Sequence, residues 1–255
     1  MRKRSACLPV QTDCSMSAKG IPSRFDRPPK PSSARFPLFR DLGEDDLNRV
    51  LALGRTVAME KGEIAIPQDT RCNEFYLTLS GAFSFRKSSP SGLVFELGKA
   101  TAGEFFGENI LLADHPSEVE VVAASQATVC IFRAADFRGV LGQHPSIARR
   151  MLDELTARIN RFANLSFELA TMKLDARLRR TIQDLARQAN QLHDGGIIRP
   201  APTHAELATM LGTTREVVSR SLILLSRNGA IRTGRQQIHI RSVNLLCSED
   251  GAFLS

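Results

Sequence analysis

Apolar and polar positions alternate over short stretches in the first half of the chain and recur every three or four residues in the second. Residues 57–59, 64–66, 75–79, 83–85, 94–97, 119–123 and 128–132 read as strands, separated by Gly62, Pro67, Gly81, Pro90, Gly92, Gly98 and Gly103. Many short strands at such spacing predict a β-barrel or sandwich rather than a parallel α/β sheet. A helical opening, with Leu42, Leu47, Val50 and Leu51 on one side, precedes them. Strands first and helices afterwards make the fold class α+β.

Over residues 145–172 the period changes. Leu152, Leu155, Ile159, Phe162, Leu165, Leu169 and Met172 fall at steps of three and four, an apolar stripe along one long helix. Arg149, Arg150, Asp153, Glu154, Arg158 and Arg161 lie off that stripe. Such a helix spans roughly 40 Å, longer than a small domain buries. Self-association through a coiled coil is the natural solution, with Leu152, Leu155, Ile159, Phe162 and Leu169 in the seam. A second amphipathic helix follows at 174–189, and the segment HDGGIIRPAP ends it.

Residues 203–225 predict two helices joined by a tight turn. Thr203 and Glu206 have capping-box spacing and start the first helix. Gly212 supplies the sharp turn. Thr214 caps the second helix, which packs inward through Val217, Val218, Leu222, Leu224 and Leu225. Its opposite face presents Arg215, Glu216, Ser219 and Arg220, clustered near the N-terminal end. Arg suits the O6 and N7 acceptors of guanine, and Glu accepts from cytosine N4. A hairpin over 230–240 follows as a wing, with Gly234 expected at its tip. Thr203, Thr213, Thr214, Arg232 and Arg235 are the expected phosphate contacts. The constellation is that of a winged helix-turn-helix that reads double-stranded DNA.

Charge sharpens this picture. The chain of 255 residues carries a net +7, unevenly spread. Residues 1–40 and 173–242 each hold +7, whereas 41–172 hold −5 and 243–255 hold −2. Basic ends around an acidic middle point to a polyanion at the ends. Residues 1–34 are rich in Ser, Pro, Lys and Arg without periodic apolar positions, so they predict a disordered basic tail. No apolar run is long enough for a membrane span or secretory leader, which places the expected protein in the cytoplasm. The cysteines number five, with no C-x-x-C pair, against a disulfide framework or an ordinary zinc site. No triad, P-loop or metal-ligand spacing suggests an enzyme.

The segments PLFRDL, KGEIAI, NEFYLTLSG, GEFFGENILL and AADFRGVLGQHP, followed by TREVVSR in the helix-turn-helix, together resemble the cyclic-AMP receptor/fumarate-nitrate regulator (Crp/Fnr) family of bacterial transcription factors. The resemblance covers residues 36–245. It implies a cyclic-nucleotide-binding-type barrel (a double-stranded β-helix) at 35–143 and a dimerisation helix at 144–172. A winged helix-turn-helix at 173–246 and a short tail at 247–255 complete the chain. It also implies a homodimer on palindromic DNA, in concert with RNA polymerase. The E-x-x-S-R pattern of Glu216, Ser219 and Arg220 is that of the fumarate-nitrate branch, implying TTGA-like half-sites. Arg215 is shared with the cyclic-AMP branch.

By the same resemblance, Gly107, Glu108 and Asn109 fall in the effector cassette. The Arg that holds a cyclic phosphate in nucleotide binders belongs ten or eleven residues after Gly107, where this chain has Ser117 and Glu118. Neither neutralises a phosphate, so cyclic AMP is not expected in the familiar mode. The cysteine spacing argues against an iron-sulfur cluster, haem is left open, and the effector is unknown.

Overall fold

The computed structural model describes residues 36–112 and 115–248. The basic tail therefore lies outside the described residues, as do residues 249–255. A single 3-10 turn at Pro37–Phe39 and helix α1 (Glu44–Ala52) lead into the strands. These are β1 (Arg55–Met59), β2 (Ile64–Ile66), β3 (Glu74–Ser80), β4 (Ala82–Ser88), β5 (Val94–Thr101) and β6 (Phe105–Phe106). Short helix α2 (Asn109–Leu112) intervenes before β7 (Glu120–Ala123) and β8 (Ala127–Arg133).

The strands form two four-stranded antiparallel sheets, ordered β1-β8-β3-β6 and β2-β7-β4-β5. Strand periodicity sorts side chains between two cores. Tyr76, Phe83, Phe106, Val121, Val129 and Ile131 fill the space between the sheets. Their strand neighbours Phe75, Leu77, Phe105, Cys130 and Phe132 point the other way, under a helical layer. That layer comprises α1, α3 (Ala134–Gln143) and the first turns of α4 (Pro145–Thr171). Phe137 of α3 stacks on Phe75 at 4.0 Å between centroids and packs against Phe132 at 5.2 Å. Each wholly buried phenylalanine of this kind contributes about 1.5–3 kcal/mol.

Helix α4 starts at Pro145, whose missing N–H costs nothing in the first turn. Ile147 and Met151 bury its early face against the barrel, and Arg150 pairs with Asp41 at 2.8 Å. Beyond that point its apolar stripe is open, with Leu152 61% and Ile159 65% exposed, and Phe167 beside it is 69% exposed. Phe162 and Leu169 are exposed as well. Leu155 differs from its expected companions, because it packs partly against the barrel-side core.

Met172 adopts extended backbone and ends α4. Helix α5 (Leu174–Gln188) then opens the second unit, with β9 (Ile197–Ile198), α6 (His204–Leu211), α7 (Arg215–Arg227), β10 (Ile231–Gly234), β11 (Gln237–Ile240) and α8 (Val243–Cys247). Leu178, Ile182, Leu207, Leu211, Val218, Leu222, Leu225, Ile231 and Ile238 form its own core. The wing is a three-stranded sheet, β10-β11-β9, rather than a lone hairpin. Its tip is Arg235–Gln236, with Gln236 at φ +53°, and not Gly234. Gly234 instead ends β10 opposite Gln237, a place where the ladder register holds it in extended backbone.

Candidate DNA-reading face and sensor cavity

The capping box at the start of α6 is complete. Glu206 donates its backbone N–H to the Thr203 hydroxyl at 3.2 Å, and its carboxylate accepts from the Thr203 backbone N–H at 2.8 Å. Gly212 ends α6 in the left-handed conformation, φ +62° and ψ +47°, which a side chain would strain. A Cβ there would also meet the Phe95 ring of β5 at 3.0 Å. Thr214 caps α7, accepting the Val217 N–H. The two helices are thus fixed by local chemistry, with Val218, Leu222 and Leu225 buried beneath α7. Val217 and Leu224 are only half-buried.

The four expected base-reading residues share one face at the N-terminal end of α7. Arg215, Glu216 and Arg220 are exposed and Ser219 is half-buried. Glu216 is held below the usual carboxylate range, first by its own backbone N–H, then by the Thr214 hydroxyl and the charges of Arg215 and Arg220. It is therefore an ionised acceptor at neutral pH. The Ser219 hydroxyl lies 2.6 Å from Nδ1 of His204 on α6. Sequence reasoning passed over His204, because only the crossing of the two helices brings it to Ser219. A cleft joins α6 and α7 to the wing, lined by Thr203, His204 and Arg215 on one side and by Thr233, Gln236 and Gln237 on the other. Arg232 and Arg235 are exposed on the wing. Thr213 and Thr214 stand at the turn, where the N–H groups of α7 favour anions.

Helix α6 also meets the barrel. Lys61 pairs with Glu206 at 2.8 Å. That contact, with the Thr203 N–H, holds the Glu206 carboxyl down at about 2.

A second site lies within the barrel. Gly107, Glu108, Asn109, Ser117 and Glu118 all line one cavity of about 510 Å3. Gly107 is required there, at φ +81° and with a Cβ that would meet the Glu74 carbonyl at 2.8 Å. Ser117 donates its hydroxyl to the Val119 carbonyl, and Glu118 turns outward to Lys87 at 2.6 Å. Neither residue offers a cation to the cavity. The cations that do line it include Arg158 and Arg161, and both come from α4. Their place off the seam stripe was readable, but their arrival at the cavity depends on how α4 crosses the barrel.

Cys72 and Cys130 are buried thiols in the barrel, and burial pushes Cys130 up to about 11. Cys7 and Cys14 lie outside the described residues. Among the described residues no group of His, Cys, Asp or Glu is arranged to hold a metal. No described helix is long and apolar enough to cross a membrane.

Known proteins match both units. Residues 56–144 match the cyclic nucleotide-binding domain and residues 176–249 the Crp-like helix-turn-helix domain. The chain is 29% identical to the "Probable transcriptional regulator flp" of Lacticaseibacillus casei over 87% of its own length and 98% of that protein. It is 28% identical to the cyclic AMP receptor protein of Thermus thermophilus, over 82% and 94% of the two chains. Among solved structures, the c-di-GMP-responsive global regulator CLP of Xanthomonas campestris shares the fold. Its TM-score is 0.71 at 20% identity, covering 78% of this chain and all of that one.

Proposed function

The chain is a member of the Crp/Fnr family of DNA-binding transcription regulators, and from that premise we propose that it reads a palindromic TTGA-like site as a homodimer through α7. One observation carries the reading: Arg215, Glu216, Ser219 and Arg220 occupy a single accessible face at the N-terminal end of α7. Arg220 serves a guanine through O6 and N7, and Glu216, ionised, accepts from a cytosine N4–H. Arg215 and Ser219 complete the base-reading set. Thr203, Thr213, Thr214, Arg232 and Arg235 hold the flanking phosphates and set register without choosing sequence.

The homodimer forms along α4, where Leu152, Ile159, Phe162 and Leu169 lie open and Leu155 contributes from the barrel side. Two-fold symmetry presents α7 twice, with half-site centres about 34 Å apart. The barrel at 35–143 acts as the sensor. Its cassette, with Ser117 and Glu118 where a cation would be needed, disfavours cyclic AMP in the familiar mode. On bound DNA the dimer contacts RNA polymerase.

Arg220→Ala separates reading from positioning. It should lower affinity for a TTGA palindrome by roughly ten- to a hundredfold, as loss of a bidentate base contact of about 1–3 kcal/mol predicts. A scrambled duplex should lose far less. Arg235→Ala should weaken both duplexes alike and reduce the salt dependence by about one counterion. Fluorescence anisotropy of both variants on both duplexes at fixed salt checks this. Equal losses on the two duplexes for Arg220→Ala would make that residue a phosphate contact and overturn the assignment.

A further inference from the structure

The barrel cavity closes its charges among themselves. Arg158, 12% exposed, reaches in from α4 and meets Glu108 and Glu154, each at 3.4 Å. Its guanidinium also donates to the Phe105 carbonyl and lies over the Phe105 and Phe85 rings at 4.6 and 5.7 Å. Arg161 pairs with Glu154 at 2.7 Å, Lys99 with Glu96 at 3.5 Å, and Glu118 with Lys87 at 2.6 Å. Glu104 accepts from the backbone N–H and the hydroxyl of Thr101. Among the described residues, every Lys, Arg and Glu that lines the cavity except Glu104 thus has an opposite charge within the chain. Between these pairs the wall is apolar, made by Ile66, Phe85, Leu97, Phe106, Val121 and Phe162.

An anionic ligand would either bring in a charge without a counter-charge or break one of those pairs, and a cationic one would meet only Glu104 without an opposite charge of its own. Both are costly at the buried end of the cavity, where Arg158 and Glu108 are 12% and 19% exposed. A neutral molecule incurs neither cost and gains by removing apolar wall from water. Arg158 has five N–H donors, and its hydrogen bonds engage Glu108, Glu154 and the Phe105 carbonyl. Donor capacity remains for one neutral acceptor.

We propose that this cavity takes an uncharged, predominantly apolar small molecule, with a carbonyl-type acceptor directed at Arg158. The proposal rests on reading the barrel as the sensor. Arg158 and Phe162 lie one turn apart on the same side of α4. An occupant therefore touches the barrel and the dimer helix together, which gives binding a route to the spacing of the two α7 helices.

An uncharged propionyl-dimethylaminonaphthalene dye is the probe, with anionic anilinonaphthalene sulfonate and cyclic AMP as competitors, on the full chain. The ketone dye should bind saturably at about one per chain with blue-shifted emission, roughly tenfold or more tighter than the sulfonate. Cyclic AMP should not displace it. Val121→Trp fills the cavity and should abolish the binding. Because Val121 is buried, Leu97→Trp at a half-buried strand position is the second variant, and circular dichroism confirms the fold of each. Absence of saturable dye binding would overturn the proposal. So would tighter binding of the sulfonate or cyclic AMP, or dye binding unaltered in a folded Trp variant. DNA titration of the same samples keeps the two readings apart. Loss of sequence preference with dye binding intact would strike the DNA-reading assignment and leave the cavity's chemistry standing.

Discussion

The DNA-reading face and the sensor cavity are built on opposite plans. The reading face is largely local: its caps, its turn and both of its helices, from the Thr203 cap to Arg220, come from one short stretch of chain. The cavity draws on β2, β4, β5, β6, α2, β7 and α4, so its wall residues run from Ile66 to Phe162. The face presents unpaired charge to solvent, whereas the cavity pairs most of its charge internally. A surface that must meet a polyanion keeps its cations free. A pocket that must exclude the wrong ligand makes its buried charges costly to disturb. Helix α4 joins the two plans, with its seam toward a second copy and Arg158 toward the cavity.

Breaking that link has the largest expected effect. Leu152 and Ile159 are exposed on the seam and lie outside the cavity wall. Replacing both with Glu places charge where two helices must meet. Light scattering should then report a monomer, and affinity for a palindrome should fall by about a hundredfold or more as the second half-site stops helping the first. A dimer of unchanged mass would remove α4 from the interface.

A smaller effect sharpens the account of the reading face. His204 lies 2.6 Å from the Ser219 hydroxyl and fixes its orientation. His204→Ala should lower discrimination by roughly two- to tenfold at the base step Ser219 faces, the worth of one hydrogen bond. Ser219→Ala should give the same loss, and the double variant no more than either alone. Additive losses in competition binding would show that the pair does not act as a unit.

The smallest effect concerns the contact between the two regions. Glu206 sits at about 2, against an ordinary 4.5, because Lys61 and the Thr203 N–H favour its charged form. A carboxyl depressed on folding stabilises the protein above its unfolded value and loses that contribution as pH falls through its folded one. The stability advantage of the wild type over Glu206→Gln should therefore be full above about pH 4.5 and vanish near pH 2. The pair is partly exposed, so the difference should be small. Denaturant midpoints across that range check it, and an advantage independent of pH would discount the ion pair.

Much of this architecture was legible in the chain because its periods are clean. Alternation marked most of the strands, and the three-to-four step marked α4 almost to its last residue. What escaped was short or non-local. Strand β6 is two adjacent phenylalanines with no polar alternation, each buried in a different core. Strand β9 is an Ile pair inside a segment that reads as a loop, recruited only because β11 offers it an edge. Helix α3 lay within a recognisable motif without being read as a helix. The same divide runs through the sites. The face of α7 could be drawn from spacing alone, since i, i+1, i+4 and i+5 cluster on any helix. The partnership of His204 with Ser219 required the crossing angle of two neighbouring helices, and the entry of Arg158 and Arg161 into the cavity required the crossing of elements distant in sequence.

Selecting bound duplexes from a random pool with the full chain tests whether a dimer presents α7 twice to one palindrome. The expected outcome is enrichment of an inverted repeat of TTGA-like half-sites whose centres lie about 34 Å, or one helical turn, apart. Enrichment of single half-sites, of direct repeats, or of no sequence at all would contradict it.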